Sequence, residues 1–161
     1  MPVHLVDLVQ CDHDEISRLL DAIVTPSAPR SHVIDALDGL RLAVLAHTIA
    51  EARTMRGLAK LEPLPRVLEH AAETCVEHAA HQASVDTLVR ENLFAPSWWE
   101  LAVDLRKRMV DHAFWIERTT MLLSECVPLH LQAQLARTYA TERMRVLATT
   151  SPVVCELDAA G

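Results

Sequence analysis

The sequence predicts an all-α protein, and three observations carry that prediction. Glycine is scarce at three residues in 161 and aromatics make up only 4 %, while Leu and Ala abound, a helix-former's composition. Apolar residues recur at steps of three and four through each long segment, the period of a helix face. Proline-containing stretches at 25–31, 62–65, 94–97 and 127–130 cut the chain into five such segments. The expected architecture is an up-down-up-down four-helix bundle with an additional C-terminal helix. One domain is expected over 1–150, with its core in 3–126, a fifth helix at about 129–148 and a loose tail at 151–161.

The first segment, about Val3 to Val24, carries Leu5, Val9, His13, Ile16, Leu20 and Ile23 on one stripe. The second follows Ser31, a candidate N-cap, and continues to about Leu61. Its stripe of Val33, Leu37, Leu40, Val44, His47, Glu51, Thr54, Leu58 and Leu61 alternates strictly between +4 and +3. That is a heptad seam made to pack on other helices. The third ends near Asn92 and places Thr74, His78, His81, Val85 and Leu88 on its seam. The fourth opens with Ser97-Trp-Trp-Glu100, the form of a capping box, and runs to about Cys126. Its inner face holds Leu101, Leu105, Met109, His112 and Ile116, and Trp98, Trp99, Phe114 and Trp115 are assigned to helix packing. The fifth, about Leu129 to Ala148, carries Leu131, Leu135 and Tyr139 among scattered Arg and Glu.

Composition narrows the function. The formal net charge of −7 argues against nucleic acid as the main partner. No segment has the roughly 20 uncharged apolar residues of a membrane span, and the acidic N-terminus does not read as a signal peptide. Cys11, Cys75, Cys126 and Cys155 form no CxxC pair and are expected to be reduced, mostly buried thiols of a cytoplasmic protein. Neither a GxSxG elbow nor a Gly-rich phosphate loop is present.

The informative feature is what interrupts the apolar stripes. His13, His47 with Glu51, His78 with His81, and His112 fall near the middle of four successive segments. Long antiparallel helices would bring them to one level of a bundle. Burying that many polar groups without partners costs about 1–3 kcal/mol each. A metal compensates them directly, because imidazole nitrogens and carboxylate oxygens suit iron, manganese or zinc. His47 and Glu51 are i, i+4, about 5–6 Å apart on one face. A lone seam histidine is an ordinary core residue. Four helices each supplying one at mid-height are not an ordinary core. His4, His32, His70 and His130 sit near segment ends and are read as surface or capping residues.

The ordered set DHDEIxxLL at 12–20, HxxxE at 47–51, EH at 77–78 and HxxxxE at 112–117 resembles the hemerythrin-like HHE cation-binding family, over roughly residues 5–125. The resemblance implies a four-helix bundle around an oxo- or hydroxo-bridged pair of iron ions held by histidines and two bridging carboxylates. It implies His13, His47 and His112 as ligands, and Glu51 and Glu117 as the bridges. On the third segment the family's HxxxH is replaced, since Thr74 precedes His78 by four residues. Either His78 is the ligand there with His81 a turn deeper, or Glu77 and His81 supply a variant. The departure leaves a more open coordination sphere.

The expected activity is binding of oxygen, or reaction with a small oxygen or nitrogen species such as peroxide or NO. An iron- or oxygen-responsive interaction module with a protein partner, and a metal-free structural bundle, are the competing expectations.

Overall fold

The computed structural model describes residues 4–61, 65–93 and 95–150, with side chains described for all but 61, 65–68, 70, 71 and 122–126. Among these residues there are five helices and no strand: α1 (Leu5–Ile23), α2 (Arg30–Leu61), α3 (Pro65–Arg90), α4 (Pro96–Cys126) and α5 (Leu129–Thr150). The protein is all-α. The expected loose tail at 151–161, with Cys155, and the side chains of Leu61, His70 and Cys126 lie outside the described residues.

Proline sets the helix starts more sharply than the expected serine caps. α4 begins at Pro96, where a missing N–H costs nothing and φ is already helical, so Ser97 lies inside the helix and is not its cap. α2 likewise starts at Arg30, one residue before Ser31, with the Pro29 carbonyl accepting from Val33 N–H at 3.1 Å. The Pro128 carbonyl accepts from Leu131 and Gln132 at the head of α5. At the end of α1, Val24 N–H returns to Leu20 O at 2.9 Å, and the Thr25 hydroxyl donates to Asp21 O at 2.7 Å. α3 ends at Arg90, slightly before the expected Asn92.

The helix contacts position the site. α1 packs on α2 and α4, and α3 packs on the same two, so each of the first four helices has two neighbours in the set. α5 lies along α2 and α1. One apolar cluster gathers Ile16, Leu20, Leu40, Val44, Leu88 and Leu105, and Trp98 closes it by donating its indole N–H to Leu88 O at 2.9 Å. A second gathers Val9, Ala50, Ile116 and Tyr139. Read along each helix, the polar seam residues fall between these two clusters: His13 between Val9 and Ile16, His47 between Val44 and Ala50, His112 between Leu105 and Ile116. Gly39 of α2 packs against α1, since a Cβ there would stand 3.2 Å from Leu19 Cδ2.

Two expectations are corrected at the surface. Trp98 is buried, but Trp99, Phe114 and Trp115 are exposed; residues 114 and 115 turn away from the face that carries His112 and Ile116. Cys11 and Cys75 are exposed free thiols rather than buried ones, because both fall off the apolar stripes of their helices. No helix among the described residues is long and apolar enough to cross a membrane.

Candidate metal centre

The seam histidines and Glu51 meet. His13, His47, His78, His81, His112 and Glu51 are all buried, with His47 and Glu51 at 0 % and 1 % exposure. One ligand atom each from His47, Glu51, His78 and His112 lies within 4.8 Å of every other. His47 Nε2 and His78 Nε2 each stand 3.1 Å from Glu51 Oε2, and His112 Nε2 stands 3.8 Å from it. His78 Nε2 and His112 Nε2 are 3.4 Å apart.

Beyond the His78–His112 contact, hydrogen bonds do not account for these short distances. Both oxygens of Glu51 and His47 Nε2 lack an aligned partner, as do His13 Nε2, His78 Nδ1 and His81 Nδ1. Ligand atoms about 2.1 Å from one ion stand about 3.0–3.4 Å apart at octahedral to tetrahedral angles. The three shortest separations fall in that range. Orphaned nitrogen and oxygen donors at coordination spacing fit a metal ion of borderline or hard character. The cluster can hold one.

The outer ring nitrogens explain why the inner ones point inward. His47 Nδ1–H donates to Tyr139 Oη at 2.8 Å, and Tyr139 donates in turn to Asp12 Oδ2 at 2.6 Å. His112 Nδ1–H donates to Glu77 Oε2 at 2.9 Å, and His13 Nδ1–H to Glu117 Oε1 at 3.0 Å. A carboxylate only accepts, so His112 and His13 carry a proton on Nδ1, and the Tyr139 oxygen, its own proton given to Asp12, holds one on His47 Nδ1 in the same way. Asp12 is itself held by Arg143 Nε at 2.5 Å, while Arg143 Nη2 reaches Glu15 at 2.8 Å.

Electrostatics follow from this packing. Burial opposes a charge on His47, but the Asp12 and Glu51 carboxylates outweigh it and raise its pKa to about 9. Burial would raise Glu51, yet the imidazoles of His112, His47 and His78 hold it well below the usual carboxylate range. His13 is pushed down to about 3 by burial and by the neighbouring His47 and His112. His81 falls to about 3 through burial and its proximity to His112 and His78. For His78 burial outweighs the pull of Glu51, and its pKa is lowered. Burial raises the Tyr139 phenol well above its ordinary range, and the Asp12 charge adds to it.

The expected residues divide into two groups. His47, Glu51, His78 and His112 form the converging set. His13 adjoins it, its ring centroid 4.7 Å from that of His47, and His81 stands 5.1 Å from His112 by the same measure. Glu117 is not among the converging atoms: it is half-buried, accepts from His13 Nδ1–H, and takes a second bond from Gln10 Nε2 at 3.2 Å. Glu77, kept open as a ligand, instead backs His112 from a side chain that is 54 % exposed. His4, His32 and His130 are exposed, as expected.

Sequence reasoning missed Asp12, Tyr139 and Arg143. Asp12 was visible only as part of the DHDE string, and Tyr139 read as one more apolar seam position. A cavity of about 150 Å³ between α1 and α4 reaches His13, lined also by Ser17, Met109, Ala113 and Glu117.

No family model, no curated protein and no solved structure matches this chain. Fold and site together define an all-helical protein with a buried three-histidine, one-glutamate cluster of metal-ligating chemistry.

Proposed function

We propose that this chain is a hemerythrin-like non-haem iron protein, an up-down-up-down four-helix bundle that binds oxygen or reacts with peroxide or NO at its His/carboxylate centre. The observation that carries the reading is the set of buried donors on His47, Glu51, His78 and His112, converging at coordination distances, with His47 Nε2 and both Glu51 oxygens left without an aligned partner. A metal-free structural bundle would leave His47 Nε2 and the Glu51 oxygens without aligned partners, at about 1–3 kcal/mol for each one.

Two ions suit the donors better than one. Glu51 has two orphaned oxygens, so its carboxylate can serve two neighbouring ions. His13 Nε2 and the His81 ring supply further nitrogen on either side of the converging four. When bound, iron supplies open positions for a small ligand and the capacity to exchange electrons with it. The chain's own residues bind, orient and shield. His47, His78 and His112 would present ring nitrogen and Glu51 its carboxylate, while Tyr139 (backed by Asp12), Glu77 and Glu117 fix ring orientation through Nδ1. The apolar clusters on either side keep bulk water out. A cavity of about 150 Å³ beside His13 gives a small ligand room next to the candidate ligands.

Metal content of the purified protein by mass spectrometry, after anaerobic reconstitution with Fe(II), tests this directly. About two irons per chain, with a near-UV/visible band that responds to oxygen or peroxide, is the expected result. Stoichiometry near zero overturns it.

A further inference from the structure

The first four helices supply every candidate ligand, yet the best-buried one is held from outside them. We infer that Tyr139 of α5 is a positioning residue for the metal ligand His47, and that it couples the docking of α5 to occupancy of the centre. The inference rests on the metal-binding reading above.

The geometry is a buried chain of three links. His47 Nδ1–H donates to Tyr139 Oη at 2.8 Å, Tyr139 Oη–H donates to Asp12 Oδ2 at 2.6 Å, and Arg143 Nε donates to Asp12 Oδ1 at 2.5 Å. Tyr139 and Arg143 are one turn apart on α5, while Asp12 belongs to α1 and His47 to α2. The chain therefore ties three helices together at the back of one imidazole.

Direction matters as much as distance. Asp12 can only accept, and Arg143 occupies its other oxygen, so Tyr139 must give its proton to Asp12. The phenol oxygen is then an acceptor toward His47, so the neutral ring that binds metal keeps its proton on Nδ1 and its lone pair on Nε2, the atom facing Glu51. His47 differs here from the other backed histidines. His112 leans on Glu77 and His13 on Glu117, carboxylates that are 54 % and 28 % exposed, whereas Tyr139 is fully buried and Asp12 nearly so. Losing such an outer partner costs about 10–100-fold in metal affinity. Coupling is reciprocal, so whatever factor the Tyr139 hydroxyl adds to metal affinity, the metal returns to the seating of α5.

The test is an anaerobic Fe(II) titration against a competing chelator, on wild type and Tyr139→Phe, with hydrogen–deuterium exchange across α5 with and without iron. Phenylalanine keeps the ring and removes only the hydroxyl. Support is an affinity about 10–100-fold weaker in the variant, together with iron-dependent slowing of α5 exchange that is present in wild type and lost in the variant. A merely structural hydroxyl would lower the melting temperature of the metal-free variant and leave the affinity ratio near one.

Asp12→Asn guards against a variant that fails to fold. With its oxygen kept by Arg143, the amide NH₂ faces Tyr139, whose hydroxyl must then donate to His47 Nδ1 and drive the ring proton onto Nε2. Metal affinity should fall by a similar factor. Equal affinity in wild type, Tyr139→Phe and Asp12→Asn overturns the inference and leaves the metal site standing. Absence of iron binding in wild type removes both.

Discussion

Glu51 Oε2 stands 3.1 Å from His78 Nε2 across the α2–α3 contact, yet no hydrogen bond is aligned to that oxygen. His47 Nε2 repeats the relationship from within α2, at the same 3.1 Å. Two nitrogens this close to one oxygen, with no hydrogen bond aligned to it, stand at a spacing that a shared metal ion would account for.

Helix α2 supplies both a nitrogen and the central carboxylate, so it should dominate metal retention. His47→Ala and Glu51→Ala should each cut reconstituted iron to less than half of wild type. The helical circular dichroism should persist, because α2 keeps Leu40 and Val44 on one side and Met55 and Leu58 on the other, all buried. Full iron content in either variant, measured by mass spectrometry, would remove the residue from the ligand set.

Metal should also stabilise the fold. A ligand that binds only the folded chain at about 100 times its Kd adds about 2.7 kcal/mol. For a chain of this size that corresponds to a rise in Tm of roughly 5–10 °C. Calorimetry of metal-free and iron-loaded protein at matched pH checks the figure, and identical melting temperatures would contradict it.

Acid should destabilise the metal-free protein. His13 and His81 are held neutral down to about pH 3 in the fold, whereas in the unfolded chain each binds a proton below about 6.5. Between those values the unfolded state carries more protons, so their contribution to stability falls as pH drops through that window. His47 acts oppositely. Its folded pKa of about 9 gives stability that is complete below 6.5 and lost as pH rises toward 9. That same proton must leave before His47 Nε2 can bind metal. Iron uptake should therefore release protons, and affinity should rise about tenfold per pH unit from 7 to 9. A flat pH dependence of affinity in that range would show that His47 is not a ligand.

What could be read from the sequence was what lies within a helix. His47 and Glu51 share a face by their spacing, and the interrupted seams announced that polar groups would meet at one level. Pairings between helices were not legible. Tyr139 and Asp12 are 127 positions apart and Arg143 and Asp12 are 131 apart, and periodicity does not say which side of the other helices α5 will cover. Tyr139 looked like core because its ring is core; only its hydroxyl belongs to the site. Phe114 and Trp115 failed the other way. On α4 apolar residues occur on more than one face, so hydrophobicity alone could not say which aromatics were inside. At the helix starts, serine-capping logic placed α2 and α4 two residues late, because a preceding or first-turn proline sets the boundary instead.

Glu117 separates two roles that the sequence could not. The resemblance makes it a bridge five residues after His112, although a residue at i+5 lies about 140° away around the helix. Glu117 Oε1 accepts from His13 Nδ1–H at 3.0 Å, on the far side of that ring from the orphaned Nε2. A carboxylate in that position orients a ligand and does not need to be one. Glu117→Gln keeps an oxygen acceptor for the same N–H, so an orienting role should survive it with iron content near wild type. A bridging role would not survive, because the amide cannot supply the charge that two cations require. Glu117→Ala removes the acceptor altogether and should lower affinity about tenfold, the small end of the effect of losing an outer partner. In the double variant with His13→Ala, the Glu117→Ala loss should vanish, since the ring it orients is gone. Loss of one full iron in Glu117→Gln, or additive losses in the double variant, would return Glu117 to the metal itself.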